Sequence, residues 1–285
     1  MNSCISPLSK KVFTIFLLTT MMLSLSVIAQ ETVNWKKINV LIYTKNGKGY
    51  VHENIPFAVT SLQKMANQYG FHADATDDPG VFTNDNLKKY SLLIFVNTNN
   101  DVFDTDEQRL AMRRFMEAGG GFVGIHSVLG TERNWDWFKM MLGGTFAWHP
   151  EFQKYLVQVI DQQHPSVAGL PEVWEKEDEC YFLKEMYPGI KVVMAHDLTS
   201  LDQKDKEKIG TLAGSFGKFY PATWYQTFDG GYVWITALGH DKKDYEDATY
   251  REHLFNGIKF IAGQAGKKDY SKSYAKTNNE PVQIK

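Results

Sequence analysis

Leu92-Leu93-Ile94-Phe95-Val96, followed at a helix's distance by Gly119-Gly120-Gly121-Phe122-Val123-Gly124-Ile125, is the stretch that decides the fold. The first five residues are apolar without alternation, the pattern of a strand covered by helices on both faces. Between the two segments, Thr105 and Gln108 have capping-box spacing. They open a helix whose Ala111, Phe115 and Ala118 share a face, and the glycines end it before a new strand at Phe122–Ile125. Upstream, Ile38-Asn39-Val40-Leu41-Ile42-Tyr43 reads as a buried strand, and a Gly-containing loop spans 44–54. A helix near Pro56 carries Val59, Leu62, Ala66 and Tyr69 at i, i+3, i+7 and i+10, and Phe71 to Thr76 reads as another strand. The β-α-β-α-β alternation predicts an α/β fold with a doubly wound, mostly parallel sheet and right-handed crossovers.

The second half is less regular. Tyr155–Ile160 and Lys191–Ala195 read as strands, and Ala222–Phe228 and Tyr232–Leu238 flank the turn signal Asp229-Gly230-Gly231. These are expected as antiparallel additions to the sheet. Asp247–Gly263 reads as a closing helix with Leu254, Ile258 and Ile261 in register. We read one α/β domain over 30–265, and a polar, Lys-rich tail over 266–285 expected to be a loosely held surface segment.

The 285 residues are 43% hydrophobic and 22% charged, an ordinary globular composition that excludes disordered and collagen-like chains. Lys+Arg 31 against Asp+Glu 33 leaves no basic excess to coat a phosphate backbone, so no nucleic-acid partner is expected. Lys10-Lys11, the apolar run Val12–Ala29 and the small-residue ends of Val27-Ile28-Ala29 form a signal-peptide pattern with cleavage before Gln30. The expectation is an exported, periplasmic protein with no stable membrane insertion after cleavage of 1–29; the alternative is an N-terminal membrane anchor. Cleavage leaves Cys180 as the lone cysteine, so no internal disulfide is expected.

Five of the eight histidines, His52, His126, His149, His196 and His240, stand beside turn signals or strand ends, whereas His72 and His253 fall inside elements and read as structural. Open parallel sheets bind ligands at the carboxyl ends of their strands. His52 follows the first strand, His126 ends Gly124-Ile125-His126-Ser127, and His240 ends Ala237-Leu238-Gly239-His240. His52, His126 and His149 are the expected ligands of a divalent metal (Zn, Mn or Ni), because imidazoles around an open position are a catalytic metal layout. The acidic run Glu175-Lys176-Glu177-Asp178-Glu179 reads mainly as a solvated face, with Glu179 chosen to point into the site. His126, Glu179 and His240 are the expected catalytic groups. Cys180 has no base nearby in sequence and reads as buried and inert. The dinucleotide and phosphate-loop glycine patterns are not met after the first strand, so no nucleotide cofactor is expected.

The sequence resembles the trehalose-utilisation (ThuA-like) family. The resemblance is carried by His52-Glu53-Asn54, by Gly119 to Ser127, by His164-Pro165-Ser166-Val167-Ala168-Gly169-Leu170-Pro171 with the later Asp178-Glu179-Cys180-Tyr181, and by Pro221-Ala222-Thr223-Trp224 with Leu238-Gly239-His240. It implies a flavodoxin-like fold, similar to class I glutamine amidotransferases. Those enzymes carry a cysteine nucleophile on the turn after a strand; here that turn carries His126, so glutamine hydrolysis by that route is expected to be absent. The family's link is to disaccharides and their 3-keto derivatives. The expected partner is a small sugar or glycan-derived substrate, met by Asn54, Trp148, Tyr181 and Trp224. The expected activity is acid–base chemistry on it, metal-assisted. The alternative is a non-catalytic sugar-binding or assembly protein using the same pocket.

Overall fold

The computed structural model describes residues 33–283. Its first half runs β1 (Asn39–Tyr43), α1 (Ile55–Tyr69), β2 (His72–Thr76), α2 (Asn84–Leu87), β3 (Leu92–Val96), α3 (Asp106–Glu117), β4 (Gly121–Ile125) and α4 (Asp136–Leu142). The second half runs β5 (Thr145–Trp148), β6 (Gln153–Val159), β7 (Val173–Asp178), β8 (Phe182–Lys184), β9 (Lys191–Asp197), α5 (Lys206–Ala213), β10 (Phe219–Phe228), β11 (Gly231–Thr236) and α6 (Ala248–Gln264).

A nine-stranded sheet has the order β2-β1-β3-β4-β11-β10-β9-β6-β7, and β5 pairs with β8 apart from it. The strands from β2 to β11 are parallel and those beyond β11 antiparallel, as expected for a doubly wound sheet with antiparallel additions. The register levels the carboxyl ends: Tyr43 pairs with Phe95, Val96 with Ile125, and Ile125 with Thr236. The segments leaving β1, β3, β4 and β11 therefore emerge at one edge.

Side chains alternate between the faces of a strand. Val40, Ile42, Ile94 and Ile125 join one core with Leu62 and Met65 of α1 and Leu254 and Ile258 of α6. Leu41, Tyr43, Leu93, Phe95 and Phe122 join a second core with Phe115 of α3 and Phe138 of α4. Both faces are covered, which explains the unbroken apolar run at 92–96. Thr105 and Gln108 make the reciprocal capping box that starts α3. Gly257 lets α6 lie on Trp234, since a Cβ there would meet the indole at 2.7 Å.

Three local readings change. The buried face of α1 is Ala58, Ser61, Leu62, Met65 and Ala66, one step round from the expected stripe, and Tyr69 lies outside stacked on Phe255. The acidic run is the end of β7, whose alternation buries Lys176 and Asp178 and exposes Glu175 and Glu177. The C-terminal segment is not loosely held. Arg113 of α3, fully buried, donates to Glu117 and to the carbonyls of Asn278 and Glu280, while Glu117 accepts from the amides of Tyr274 and Ala275. Trp135 adds an indole N–H to the Asn278 carbonyl at 3.0 Å. The leader pattern at 1–29 lies outside the described residues, and among those described no helix is long and apolar enough to cross a membrane.

Removing one member of a buried ion pair strands its partner's charge, at about 3–5 kcal/mol. Arg113→Ala is expected to lose stability of that order in urea unfolding and to make the segment after Lys267 a protease target; unchanged stability would refute the role of this clasp. A second expectation concerns acid. His196, placed at a strand end by sequence, lies inside β9, fully buried, with neither ring nitrogen bonded. Burial pushes His196 down to about 4 and His253 down to about 3, against an ordinary 6.5. Below pH 6.5 the unfolded chain thus binds protons that the fold excludes, and stability falls with pH by about 1.4 kcal/mol per pH unit for each such group. His196→Phe should make the decline between pH 6 and 4.5 shallower by about that amount, read from unfolding curves at each pH.

Candidate active site at the carboxyl edge of the sheet

Segments after β1, β4, β11 and β7 each contribute one polar group. β1 leads into the loop that holds His52, which is buried. β4 turns abruptly into His126 at φ +50°, a left-handed conformation costly for a residue with a Cβ. β11 leads to His240 through Gly239 at φ +114°, where a Cβ would meet the Tyr250 hydroxyl at 1.9 Å. Glu179 follows directly on β7.

These four side chains converge. One nitrogen from each of His52, His126 and His240 and one oxygen of Glu179 all lie within 4.8 Å of one another. Glu179 Oε2 is 3.1 Å from His240 Nδ1 and 3.5 Å from His126 Nε2, and those two nitrogens are 3.3 Å apart. His126 Nδ1 faces the Ala237 carbonyl at 2.8 Å, and a carbonyl only accepts, so Nδ1 donates there and Nε2 is the ring atom turned to the centre. His149 is held likewise, Nδ1 donating to the Pro150 carbonyl at 2.7 Å, with Nε2 3.5 Å from Glu179 Oε1. His52 Nδ1 is buried without a partner.

Burial, then the neighbouring imidazoles, push His52 down to about 3, so it is neutral near pH 7. Burial alone would raise Glu179, but its bonds with His126 and His240 and the imidazole charges hold it well below the usual carboxylate range. His240 is raised: burial opposes its charge, and the bond and charge of Glu179 overcome that. Three imidazoles and an ionised carboxylate at one point form a donor set suited to a divalent cation.

Asp178, fully buried, holds this arrangement. Its carboxylate accepts the backbone N–H groups of Glu179 at 2.8 Å, Gly239 at 2.8 Å and His240 at 3.1 Å. Lys176 lies 3.2 Å from it and also bonds Asp244. The 239–240 turn is gripped from its other side by Asn54, whose amide donates to the carbonyls of Gly239 and His240. Asn97, itself at φ +47°, donates to Asn54 and to the Tyr245 hydroxyl, which donates to Gly239 O.

The centre borders a cavity of about 440 Å³, walled by Tyr50, Asn99, Arg133, Phe146, His149 and Tyr181. Arg133 lies over the Phe146 ring and donates to Gly130 O and Asn99 Oδ1. Four sequence expectations need correction. His149 lines the cavity beside Glu179 but stands outside the four-donor group, where His240 and Glu179 complete what His52 and His126 begin. Trp224 offers no face to a sugar: it is wholly buried and its indole N–H bonds Leu142 O. Trp148 packs against Phe182 and under Lys208, apart from the cavity lining, and Phe146 takes the wall position expected of it. Asn54 is buried and positions the 239–240 turn instead of meeting a ligand. Tyr181 does line the cavity. Sequence reasoning missed Tyr50, Asn99, Arg133 and Asp178. The polar run Asn97-Thr98-Asn99-Asn100 directly after an apolar strand was a usable signal for Asn99; Arg133 had none.

A doubly wound, flavodoxin-like α/β domain with a histidine-rich polar centre at its strand ends defines the class. Within it, the chain belongs to the ThuA family, described as trehalose utilisation, which it matches over residues 39–261. Membership ties it at family level to carbohydrate utilisation. The fold is similar to a ThuA-like protein of Bacteroides uniformis (TM-score 0.62, 23% identity, covering 81% of this chain and 93% of that one). It is also similar to a ThuA-like protein of Parabacteroides merdae (TM-score 0.63, 20% identity, 82% and 93%). No curated protein matches the sequence.

Groups that orient donors from behind typically contribute 10–100-fold to metal affinity. Asp178→Asn replaces an acceptor-only carboxylate with an amide whose N–H groups oppose the backbone donors. It should weaken zinc binding by about that factor, measured by chelator competition. Unaltered affinity in a folded variant would remove Asp178 from the support of the centre.

Proposed function

We propose that this chain is an exported enzyme of carbohydrate metabolism that acts on a glycoside, disaccharide or 3-keto-sugar derivative by histidine-based acid–base chemistry with a divalent cation. The observation that carries this reading is the convergence of His52, His126, His240 and Glu179 beside a cavity sized for a small ligand. The leader-like sequence at 1–29 supports export to the periplasm.

His52, His126, His240 and Glu179 would hold the cation, which supplies polarisation of a carbonyl or hydroxyl oxygen. His149 then serves as the general base. Its Nδ1–H is fixed by Pro150, so the lone pair of Nε2 is the one presented to the cavity. A proton beside the carbonyl of a 3-keto sugar is acidic. His149 takes it from C2, the C–H electron pair becomes a C1=C2 double bond conjugated with the C3 carbonyl, and the glycosidic C1–O bond breaks, its departing oxygen collecting the proton from the His149 imidazolium. Phe146 and Tyr181 offer faces to the sugar's C–H groups, and Arg133 offers N–H donors to its oxygens.

Elemental mass spectrometry of the untagged chain from Gln30 tests the centre. Near-stoichiometric Zn, Mn or Ni is expected, lost in His52→Ala and in His126→Ala; absence of metal after incubation with each ion refutes the cation. His149→Ala should keep the metal and lower turnover of a 3-keto-disaccharide by about 10²–10⁴-fold. Tight sugar binding with no conversion by the metal-loaded protein would replace the enzyme with the binding-protein reading.

A further inference from the structure

Tyr245, whose hydroxyl bonds Asn97 and Gly239 behind the histidine centre, also lines a separate cavity of about 450 Å³ between α1 and the start of α6. Its other walls include Phe57, Thr60, Ser61, Lys64, Glu246 and Arg251. None of these belongs to the histidine cavity, and several are hard to explain as packing alone.

Ser61 is buried to 5% exposure, yet its Oγ has no hydrogen-bond partner. A buried hydroxyl left unpaired is a net cost to the fold. Its neighbour Thr60 satisfies its own hydroxyl on the Pro56 carbonyl one turn back, at 2.8 Å, so the local helix offers that escape and Ser61 does not take it. Lys64 and Arg251 have no ion-pair partner among the described residues, although Glu246 lines the same cavity. Lys64, Arg251 and Glu246 together give the cavity an excess of one positive charge. Phe57 is 43% exposed at the rim, with Lys242 Nζ 5.9 Å from its ring centroid on one side. Cationic donors, an unspent hydroxyl, a carboxylate acceptor and an open ring together match one ligand chemistry. An anionic head would meet Arg251 and Lys64, its hydroxyls would meet Ser61 and Glu246, and its C–H face would cover Phe57.

We propose that this cavity is a second ligand site, for a small anionic sugar that is either a uronic acid or a sugar phosphate. Because Tyr245 contacts both this cavity and the 239–240 turn, an occupant here touches the scaffold of the histidine centre without entering it.

Calorimetric titration of the full mature protein at low salt tests the site, with glucuronate, glucose 6-phosphate and glucose as probes. At least one anionic probe should bind, and glucose at least about tenfold more weakly; which anion binds tells the carboxylate from the phosphate source. Arg251→Gln and Ser61→Ala should each weaken binding by about tenfold, and added salt should weaken it further. Lys64→Gln, on an exposed helix surface, is the check should either of those variants unfold, and should weaken binding in the same direction. Binding must persist in His126→Ala, whatever becomes of activity or metal there. Equal binding of glucose, no binding of either anion, indifference to Arg251 and Lys64 substitution, or loss of binding in His126→Ala would overturn the proposal.

Discussion

One buried carboxylate fixes the geometry on which the site depends. Asp178 ends β7 at the far, antiparallel edge of the sheet, yet its oxygens gather backbone N–H groups from its own neighbour Glu179 and from Gly239 and His240 beyond β11. A carboxylate taken out of water is costly by several kcal/mol unless it is paired and fully bonded. Lys176 and the three amides meet that cost, and Asp178 stays ionised: burial would raise its pKa, but Lys176 and these amides hold it lowered. The same bonds that stabilise the charge bring Glu179 within reach of His240. Electrostatic satisfaction and site assembly are one event here.

The turn at His126 shows the complementary constraint. A strand that stops at Ile125 and reverses within one residue forces φ to +50° at His126. Such strain persists only where surroundings over-determine it. Here the Ala237 carbonyl fixes the ring from one side, and the Tyr181 ring lies 4.3 Å from it. A thiol on this turn would be a nucleophile; an imidazole with its Nδ1 proton committed to a carbonyl is a ligand or an acceptor at Nε2.

The parallel half was legible because its signals are local. Unbroken apolar runs, a capping box and a glycine stop specify β3, α3 and β4 almost to the residue, and position at strand ends pointed to His52, His126 and His240. The antiparallel half was less legible because its information lies in pairing. β7 reads as a charge run until β6 supplies the partner that turns alternate charges inward. The same holds for the site's walls: no local feature tells Trp224, which fills the core, from Phe146, which faces the cavity. His164, part of the family-like His164-Pro165-Ser166 segment, accepts the Ser166 amide and stacks on Tyr225, so that motif is structural. His149 was placed in the donor set because it is a histidine in a loop. Only the distances show that His240, brought over by Asp178 and Asn54, occupies that place.

The protonation pattern of the centre bears on what it can hold. A metal ligand must present a lone pair, so protons compete with the cation at every donor. At neutral pH, His52 has already lost that competition through burial and neighbouring imidazoles, and Glu179 is ionised. His126 spends its Nδ1 proton on the Ala237 carbonyl and turns Nε2 to the centre. Glu179 favours the protonated form of His240 and raises its pKa against the effect of burial. A cation entering this centre must therefore displace the proton that Glu179 favours on His240, so the pair sets the pH dependence of binding.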